Sequence, residues 1–521
     1  MTTSIDIKSV MREAYQLAEK THGPGGAIGI VKDGEIVLQH TWGYADLKKH
    51  LPVTAQTRFP ICSISKQFTC GVLLDLGEQL EHFDAALQTY LPNLETTRPS
   101  IRHLCNNQSG LRDYWALTVL HGADAEDVFR REDAKPLFAR MRTTQFAPAS
   151  RYSYSNGNFR ILSDVIEDHT GRSLGKLYRE RIFDVAGMET AELLPDTTTP
   201  ADGVVGHEGN DTTGFFPATN RIYWTGDAGI SASLDDMLAW ERFIDRTRED
   251  ETGLYRRLSS PQVFSDGNEA PYGNGLAHDM VGETPTTGHG GALRGFRCHR
   301  IHAASERLSV VVLFNHEGDA QAAARHLMKA ALGLPRETPG EAPADPAWKG
   351  RYLDPGTGLL MTLAPGHSGL KATFAGSPER LTIGDDNTAR SPAMTLARRG
   401  DEMEFERWRE NLRGTAKKVS GEPVRDIAGR YHARELDAFL EIVETNGVFY
   451  GFFEGFLGKG EMTPLYPAAQ DIWTLPCRRS MDAPAPGDWT VQVHRSGNGP
   501  VSGLTIGCWL ARNIGYRPVG R

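Results

Sequence analysis

Between Val10 and Ala18 apolar residues recur at helical spacing, and the run Ala27-Ile-Gly-Ile-Val-Lys-Asp33-Gly34-Glu-Ile-Val-Leu38 then places two short apolar stretches around an Asp-Gly pair. The first pattern predicts an amphipathic helix. The second predicts a β-hairpin, because Asp-Gly supplies the two positive-φ residues of a tight turn. Towards residue 300, Arg297–Ile301 and Leu308–Asn315 read as a second hairpin, and the alanine-rich stretch Asp319–Leu332 reads as a helix. A chain that opens with helix and hairpin and closes with hairpin and helix predicts an antiparallel sheet flanked by its first and last helices, an α+β layer arrangement over residues 1–333.

Prolines at 335, 339, 343 and 346 lie among small and charged residues, so an extended interdomain linker is expected at 334–346. Beyond it helical spacing fades, and short apolar runs alternate with Gly, Pro and Asp turns, as in all-β structure. This tail repeats itself. Trp348-Lys-Gly350-Arg351-Tyr352, followed by the apolar Leu359–Leu363, is echoed 79 residues later by Ile427-Ala-Gly429-Arg430-Tyr431, followed by Phe439–Val443. Two related antiparallel β-barrel domains are therefore expected, over residues 334–418 and 419–521.

The 521 residues carry 57 basic and 66 acidic side chains, a net charge of −9 that argues against nucleic acid or anionic lipid as partner. No apolar run approaches the roughly 20 residues of a membrane helix. The opening Met1-Thr-Thr-Ser-Ile-Asp-Ile-Lys8 lacks the basic and apolar regions of an export signal, so a cytoplasmic protein is expected. Six cysteines without a CxxC pair and 17 histidines without HExxH write neither a disulfide framework nor a metal site, and no cofactor is expected. His207-Glu208 and His316-Glu317 read as loop residues.

Cys62-Ser63-Ile64-Ser65-Lys66 contains Ser-x-x-Lys, which on a helix sets an amine one turn after a hydroxyl, on the same face. Ile64, Phe68, Val72, Leu76 and Leu80 give that helix an apolar stripe to bury. Ser63 would then sit at a helix N-terminus, where free amides and the helix dipole stabilise an oxyanion. Ser173 with Lys176 and Ser368 with Lys371 match the spacing equally well. Tyr154-Ser155-Asn156 offers a phenol for proton transfer and an amide to orient a carbonyl, a pattern shared by Tyr272-Gly273-Asn274. His289-Gly290-Gly291 precedes a predicted strand, and its small residues would let a substrate backbone lie against that strand. Gly171-Arg-Ser173-Leu-Gly175 matches a nucleophile elbow, but the residues before it, apolar at 161, 162, 165 and 166, have helical spacing where the elbow needs a strand.

The order Ser63-x-x-Lys66, Tyr154-x-Asn156, His289-Gly-Gly resembles the penicillin-recognising serine hydrolases, the superfamily of class C β-lactamases and DD-peptidases. Phe59-Pro-Ile-Cys-Ser-Ile-Ser-Lys66, Ser109-Gly110-Leu111, Thr170-Gly-Arg-Ser-Leu-Gly175 and Ile182-Phe-Asp-Val-Ala-Gly-Met188 add to the likeness, which covers roughly residues 10–333. It implies a β-lactamase/DD-peptidase-like catalytic domain. Ser63 would be acylated, Lys66 and Tyr154 would share the role of base, and the backbone N–H groups of Ser63 and Ala292 would form the oxyanion hole. Asn156, Gly290, Gly291 and Ala292 would bind substrate. His289 stands where those enzymes mostly carry lysine, and a neutral imidazole would orient substrate without anchoring a carboxylate.

The whole layout, with two β-domains behind such a catalytic unit, resembles the D-stereospecific aminopeptidases. These release an N-terminal D-residue such as D-Ala from peptides and amides, and a loop of their last β-domain reaches the cleft. The matching stretch here is Leu475–Gly487, with Asp482 as the carboxylate for the substrate ammonium, while Arg478 and Arg479 would anchor the loop or face water. The resemblance implies a small peptide or amide substrate, β-lactams as inhibitors and a homodimer. A β-lactamase-like esterase or DD-peptidase and a non-catalytic penicillin-binding scaffold are the alternatives.

Overall fold

The opening helix forms over Ile7–Lys20 and the hairpin over Gly25–Lys32 and Glu35–Asp46, joined through Asp33 and Gly34 at φ of 53° and 82°. The structure, a computed structural model, describes residues 7–335, 344–374, 376, 378–483, 485–497 and 499–520. The hairpin belongs to an eight-stranded antiparallel sheet in the order Tyr272–Gly273, Leu276–Val281, Thr284–Leu293, Phe296–Ala303, Leu308–Phe314, Gly25–Lys32, Glu35–Asp46, Leu51–Pro52. Sequence-distant hairpins thus meet where Leu308–Phe314 pairs with Gly25–Lys32.

Leu308–Phe314 is buried at every position and apolar at all but Ser309, because both of its faces are covered. Val310 and Val312 pack with Val10, Ala14, Leu327 and Met328 of the first and last helices. Val311 and Leu313 face the larger core that holds Phe68, Leu238 and Trp240. The last helix, Ala320–Ala331, begins as expected with Asp319 capping the Ala322 N–H.

Three local expectations are corrected, and a fourth holds. The helix after the Ser-x-x-Lys motif spans Ser65–Asp75, and Ser63 lies in a separate 3-10 turn, Cys62–Ile64. Leu80 is off that helix, which stops before Gly77 at φ 75°, and opens the next segment, Leu80–Ala86. His207-Glu208 begins a strand, His207–Asn210, instead of lying in a loop. As expected, helix Asn156–Thr170 ends on left-handed Gly171, so Ser173 follows a helix and no elbow forms, while Lys371 of the other rival lies on strand Gly369–Thr373.

Most of the expected linker, residues 336–343, lies outside the described residues. Beyond it stands a closed eight-stranded barrel, Gly350–Lys418, and then a ten-stranded antiparallel sheet, Gly429–Pro518. In the second unit Thr463–Pro464 pairs with Val448–Gly455 and Tyr466–Ala469 pairs with Ile472–Leu475, so one bent segment brings the two ends of the sheet together. The repeat is structural: Gly350, Tyr352 and Asp354 face Leu363, Met361 and Leu359, and in the same register Gly429, Tyr431 and Ala433 face Ile442, Leu440 and Ala438.

Candidate active site

Ser63 is presented by a constrained turn. Phe59–Pro60 pairs with Ile230–Ala232, and Cys62 then takes φ 51°, a left-handed conformation that costs a non-glycine residue energy and that the surroundings must hold. The thiols of Cys62 and Cys298 both donate to the Pro60 carbonyl, at 3.2 and 3.4 Å. On the other side the strand Thr284–Leu293 lies so close that a Cβ on Gly291 would stand 2.3 Å from the Ile61 carbonyl oxygen. Glycine at 291 is therefore a steric requirement.

One helical turn after Ser63, Lys66 is fully buried. Its Nζ donates to Ser63 Oγ at 2.9 Å, to Asn156 Oδ1 at 2.8 Å and to the Asp227 carbonyl at 2.6 Å. Burial pulls the Lys66 amine down to about 8, against the carboxylates of Asp227, Asp113 and Asp482, which favour its charge. Tyr154 lies with its ring centre 5.0 Å from that nitrogen. Its own burial pushes the phenol well above 10, opposed by a hydrogen bond with Ser63, so Tyr154 stays protonated at neutral pH.

Asn156 starts the helix Asn156–Thr170 and donates its backbone N–H to Asp113 Oδ1 at 2.6 Å. With Oδ1 taken by Lys66, its amide nitrogen is the group left to donate to a substrate carbonyl.

The strand Thr284–Leu293 is paired by Leu276–Val281 only as far as Gly288. From His289 onward that edge borders the cavity beside Ser63, open to an extended substrate backbone. His289 Nδ1 bonds the Gly290 carbonyl, which can only accept, so the proton sits on Nδ1 and Nε2 accepts the Tyr272 hydroxyl at 2.9 Å. Burial first and the Lys66 charge second lower its pKa to about 3, which keeps the imidazole neutral.

A cavity of about 520 Å³ collects eight of the nine expected residues: Ser63, Tyr154, Asn156, His289, Gly290, Gly291, Ala292 and Asp482. Lys66 lies behind Ser63. The loop expected from the last β-unit reaches this cavity and lines it through Ser480, Asp482, Ala483, Ala485 and Pro486; Pro484 is outside the described residues. Asp482 Oδ1 accepts from Ser480 Oγ at 2.6 Å, and burial pushes its carboxyl up to about 6. The loop is tied down where the Arg294 N–H donates to the Asp482 carbonyl at 3.0 Å. Arg479 anchors it by pairing at 2.9 Å with buried Glu208, which also holds Arg294 at 3.2 Å, whereas Arg478 lines a neighbouring cavity.

Sequence reasoning missed Asp113, Asp227 and the Tyr272–His289 pair. Asp113 and Asp227 stand in no spaced pattern with Ser63, and only tertiary packing brings them to Lys66. Tyr272 had a signal, the Tyr-x-Asn pattern, but it serves as a partner of His289.

The β-lactamase family profile matches residues 12–334, and that of the family described as D-aminopeptidase, domain B, matches residues 341–517. A D-aminopeptidase of Brucella melitensis biotype 1 is 54% identical over 515 residues, 99% of each chain. A D-aminopeptidase of Brucella anthropi is 55% identical over 518 residues, again 99% of each. Among solved structures, the octameric penicillin-binding protein homologue from Pyrococcus abyssi covers 86% of this chain and 99% of its own at 16% identity and a TM-score of 0.56. A D-amino acid amidase from Ochrobactrum anthropi SV3, complexed with L-phenylalanine amide, covers 63% of this chain and 99% of its own at 19% identity and a TM-score of 0.50. At these identities the two structures speak for the fold.

Proposed function

The chain belongs to the D-aminopeptidase family, with a catalytic unit of the β-lactamase family, and from that membership we propose how its cleft removes an N-terminal D-residue from a peptide or amide. The protein is a D-stereospecific aminopeptidase acting as a serine hydrolase. We assign Ser63 as nucleophile and Lys66, in its neutral form, as the base that takes the Ser63 proton as Oγ bonds the scissile carbonyl carbon. The oxyanion is held by the backbone N–H groups of Ser63 and Ala292. Tyr154, a neutral phenol, passes a proton to the leaving amine as the C–N bond breaks. Lys66 returns the proton taken from Ser63 to Tyr154 and is neutral again. Water then attacks the acyl-enzyme as Lys66 takes its proton, and Lys66 gives that proton to Ser63 Oγ as the ester bond breaks, releasing the D-amino acid with Ser63 restored.

The observation that carries this reading is the buried Lys66 amine 2.9 Å from Ser63 Oγ, with its pKa lowered to about 8, beside a cavity that Asp482 lines. His289 orients substrate. Its neutral state supports an aminopeptidase over a DD-peptidase, whose substrate carboxylate needs a fixed cation. Turnover of D-Ala-p-nitroanilide, with little of L-Ala-p-nitroanilide or a cephalosporin, is the expected assay result. Ser63→Ala should lower that turnover by several orders of magnitude with the fold intact, and near-normal activity of this variant would overturn the mechanism.

We take residues 1–333, 334–418 and 419–521 as the working domain limits. We expect β-lactams to act as inhibitors and the chain to work in a reducing compartment such as the cytoplasm; all six cysteines are unpaired thiols, in support of the latter. No helix among the described residues is long and apolar enough to cross a membrane. A homodimer is the assembly we propose, supported by exposed Ile36, Tyr44, Leu47 and Leu51 along the outer edge of the sheet; sedimentation at micromolar concentration tests it.

A further inference from the structure

Resting on the aminopeptidase reading, we propose that the substrate ammonium is held between two carboxylates, Asp482 of the loop and Asp113 of the catalytic unit, so that amine specificity is built on both sides of the cleft. Asp113 is 1% exposed and lines the same cavity as Ser63 and Asp482. Its Oδ1 accepts the Asn156 N–H at 2.6 Å, while Oδ2 takes no hydrogen bond among the described residues. The backbone is fixed as well, since the Asp113 N–H donates at 3.0 Å to the carbonyl of Leu510, a residue of the second β-unit that itself lines the cavity. The carboxylate is thus held in place before substrate arrives, which lowers the ordering cost of binding.

The cations nearby donate no hydrogen bond to this pair among the described residues. The three donors of Lys66, behind Ser63, go to Ser63, Asn156 and the Asp227 carbonyl, and Arg297, the cation of the cavity wall, pairs with Glu317 at 2.9 Å. Burial and the Asp482 charge push the Asp113 carboxyl up to about 7, against the Asn156 N–H and the Lys66 charge, so the two carboxylates that line this cavity repel one another. An ammonium group, with three donors and a positive charge, has the chemistry of the missing occupant. A neutral or N-acylated terminus would leave both carboxylates unpaired.

The test compares D-Ala-p-nitroanilide with p-nitrophenyl propionate, an activated acyl donor of the same length without the amine. Asp113→Asn keeps the oxygen that accepts the Asn156 N–H and removes the charge. The expected result is a KM for D-Ala-p-nitroanilide raised about tenfold or more, with kcat and the ester reaction lowered by less than about threefold. Equal losses on both substrates would reduce Asp113 to a support for Asn156 and overturn the proposal, as would an unchanged KM. The parent enzyme separates this from the underlying reading: if it hydrolyses N-acetyl-D-Ala-p-nitroanilide as well as the free amine, the aminopeptidase assignment fails, whereas a parent preference for the free amine that survives Asp113→Asn removes Asp113 alone.

Discussion

In the closed barrel, strands Thr388–Arg390 and Thr395–Arg399 are joined by four residues, 391–394; in the second β-unit the corresponding strands, Ile472–Leu475 and Trp489–Arg495, are joined by thirteen, 476–488. The units otherwise share a plan, from the Gly-x-Tyr strand that opens each to a last hairpin carrying Trp408 in one and Trp509 in the other. Both hairpin turns press on the catalytic unit. In the barrel, the Glu410 carbonyl accepts the Tyr152 N–H at 3.3 Å, two residues ahead of Tyr154; in the second unit, the Leu510 carbonyl accepts the Asp113 N–H at 3.0 Å. Four residues can only turn back, while thirteen, half going out and half returning, reach roughly 20 Å. One repeat braces the cleft, and the other both braces and lines it.

The seams differ too. Arg409 of the barrel pairs with Asp279 at 2.8 Å in a partly exposed bridge. Glu435 of the second unit meets Arg112, 1% exposed, at 2.8 Å and also accepts from the Thr143 N–H and hydroxyl at 3.0 and 2.9 Å.

Removing the length difference should have the largest effect. Deletion of residues 478–486 is expected to lower kcat/KM for D-Ala-p-nitroanilide by about a hundredfold and to speed acylation by nitrocefin, followed at its chromophore. A deletion variant that keeps the parent preference for free D-amines would move specificity into the first 330 residues. Next come the seams. Glu435→Ala strands a buried guanidinium and should destabilise the protein by roughly 3 kcal/mol in thermal or urea unfolding. Arg409→Ala should cost less than about 1 kcal/mol. Equal losses would mean that the two units dock alike.

The smallest effect is on the base. Lys66 works unprotonated, so with its pKa lowered to about 8, kcat/KM for p-nitrophenyl propionate, which has no amine to titrate, should rise as pH passes through about 8. Asp482→Asn removes a carboxylate that stabilises the Lys66 charge, so the midpoint should move down. A midpoint near 10 in the parent would show that burial does not tune this amine.

Much of this organisation was legible in the sequence, for physical reasons that also mark where legibility ends. Ser63 and Lys66 are one helical turn apart, and Tyr154 and Asn156 straddle a helix start, so short-range spacing carries their relation. The Gly-x-Tyr repeat was visible because each copy opens a strand in the same register. The break between the 3-10 turn at Ser63 and the helix at Ser65 was not, since Cys62 reaches its left-handed φ through tertiary packing against Gly291 and Pro60. Asp113, Asp227 and Tyr272 were silent or misleading because each contacts its partner across the fold. Glu208 looked like a loop residue until Arg294 and Arg479 closed on it from two different units.

The most direct test of the second β-unit's role is the ratio of kcat/KM for D-Ala-p-nitroanilide to that for p-nitrophenyl propionate in the parent and in Asp482→Ala. Loss of a charge-assisted contact of roughly 1.5 to 3 kcal/mol predicts a ratio at least about tenfold lower, with KM for the anilide raised and the ester reaction no slower. An unchanged ratio would contradict the assignment and leave the thirteen-residue loop a surface turn.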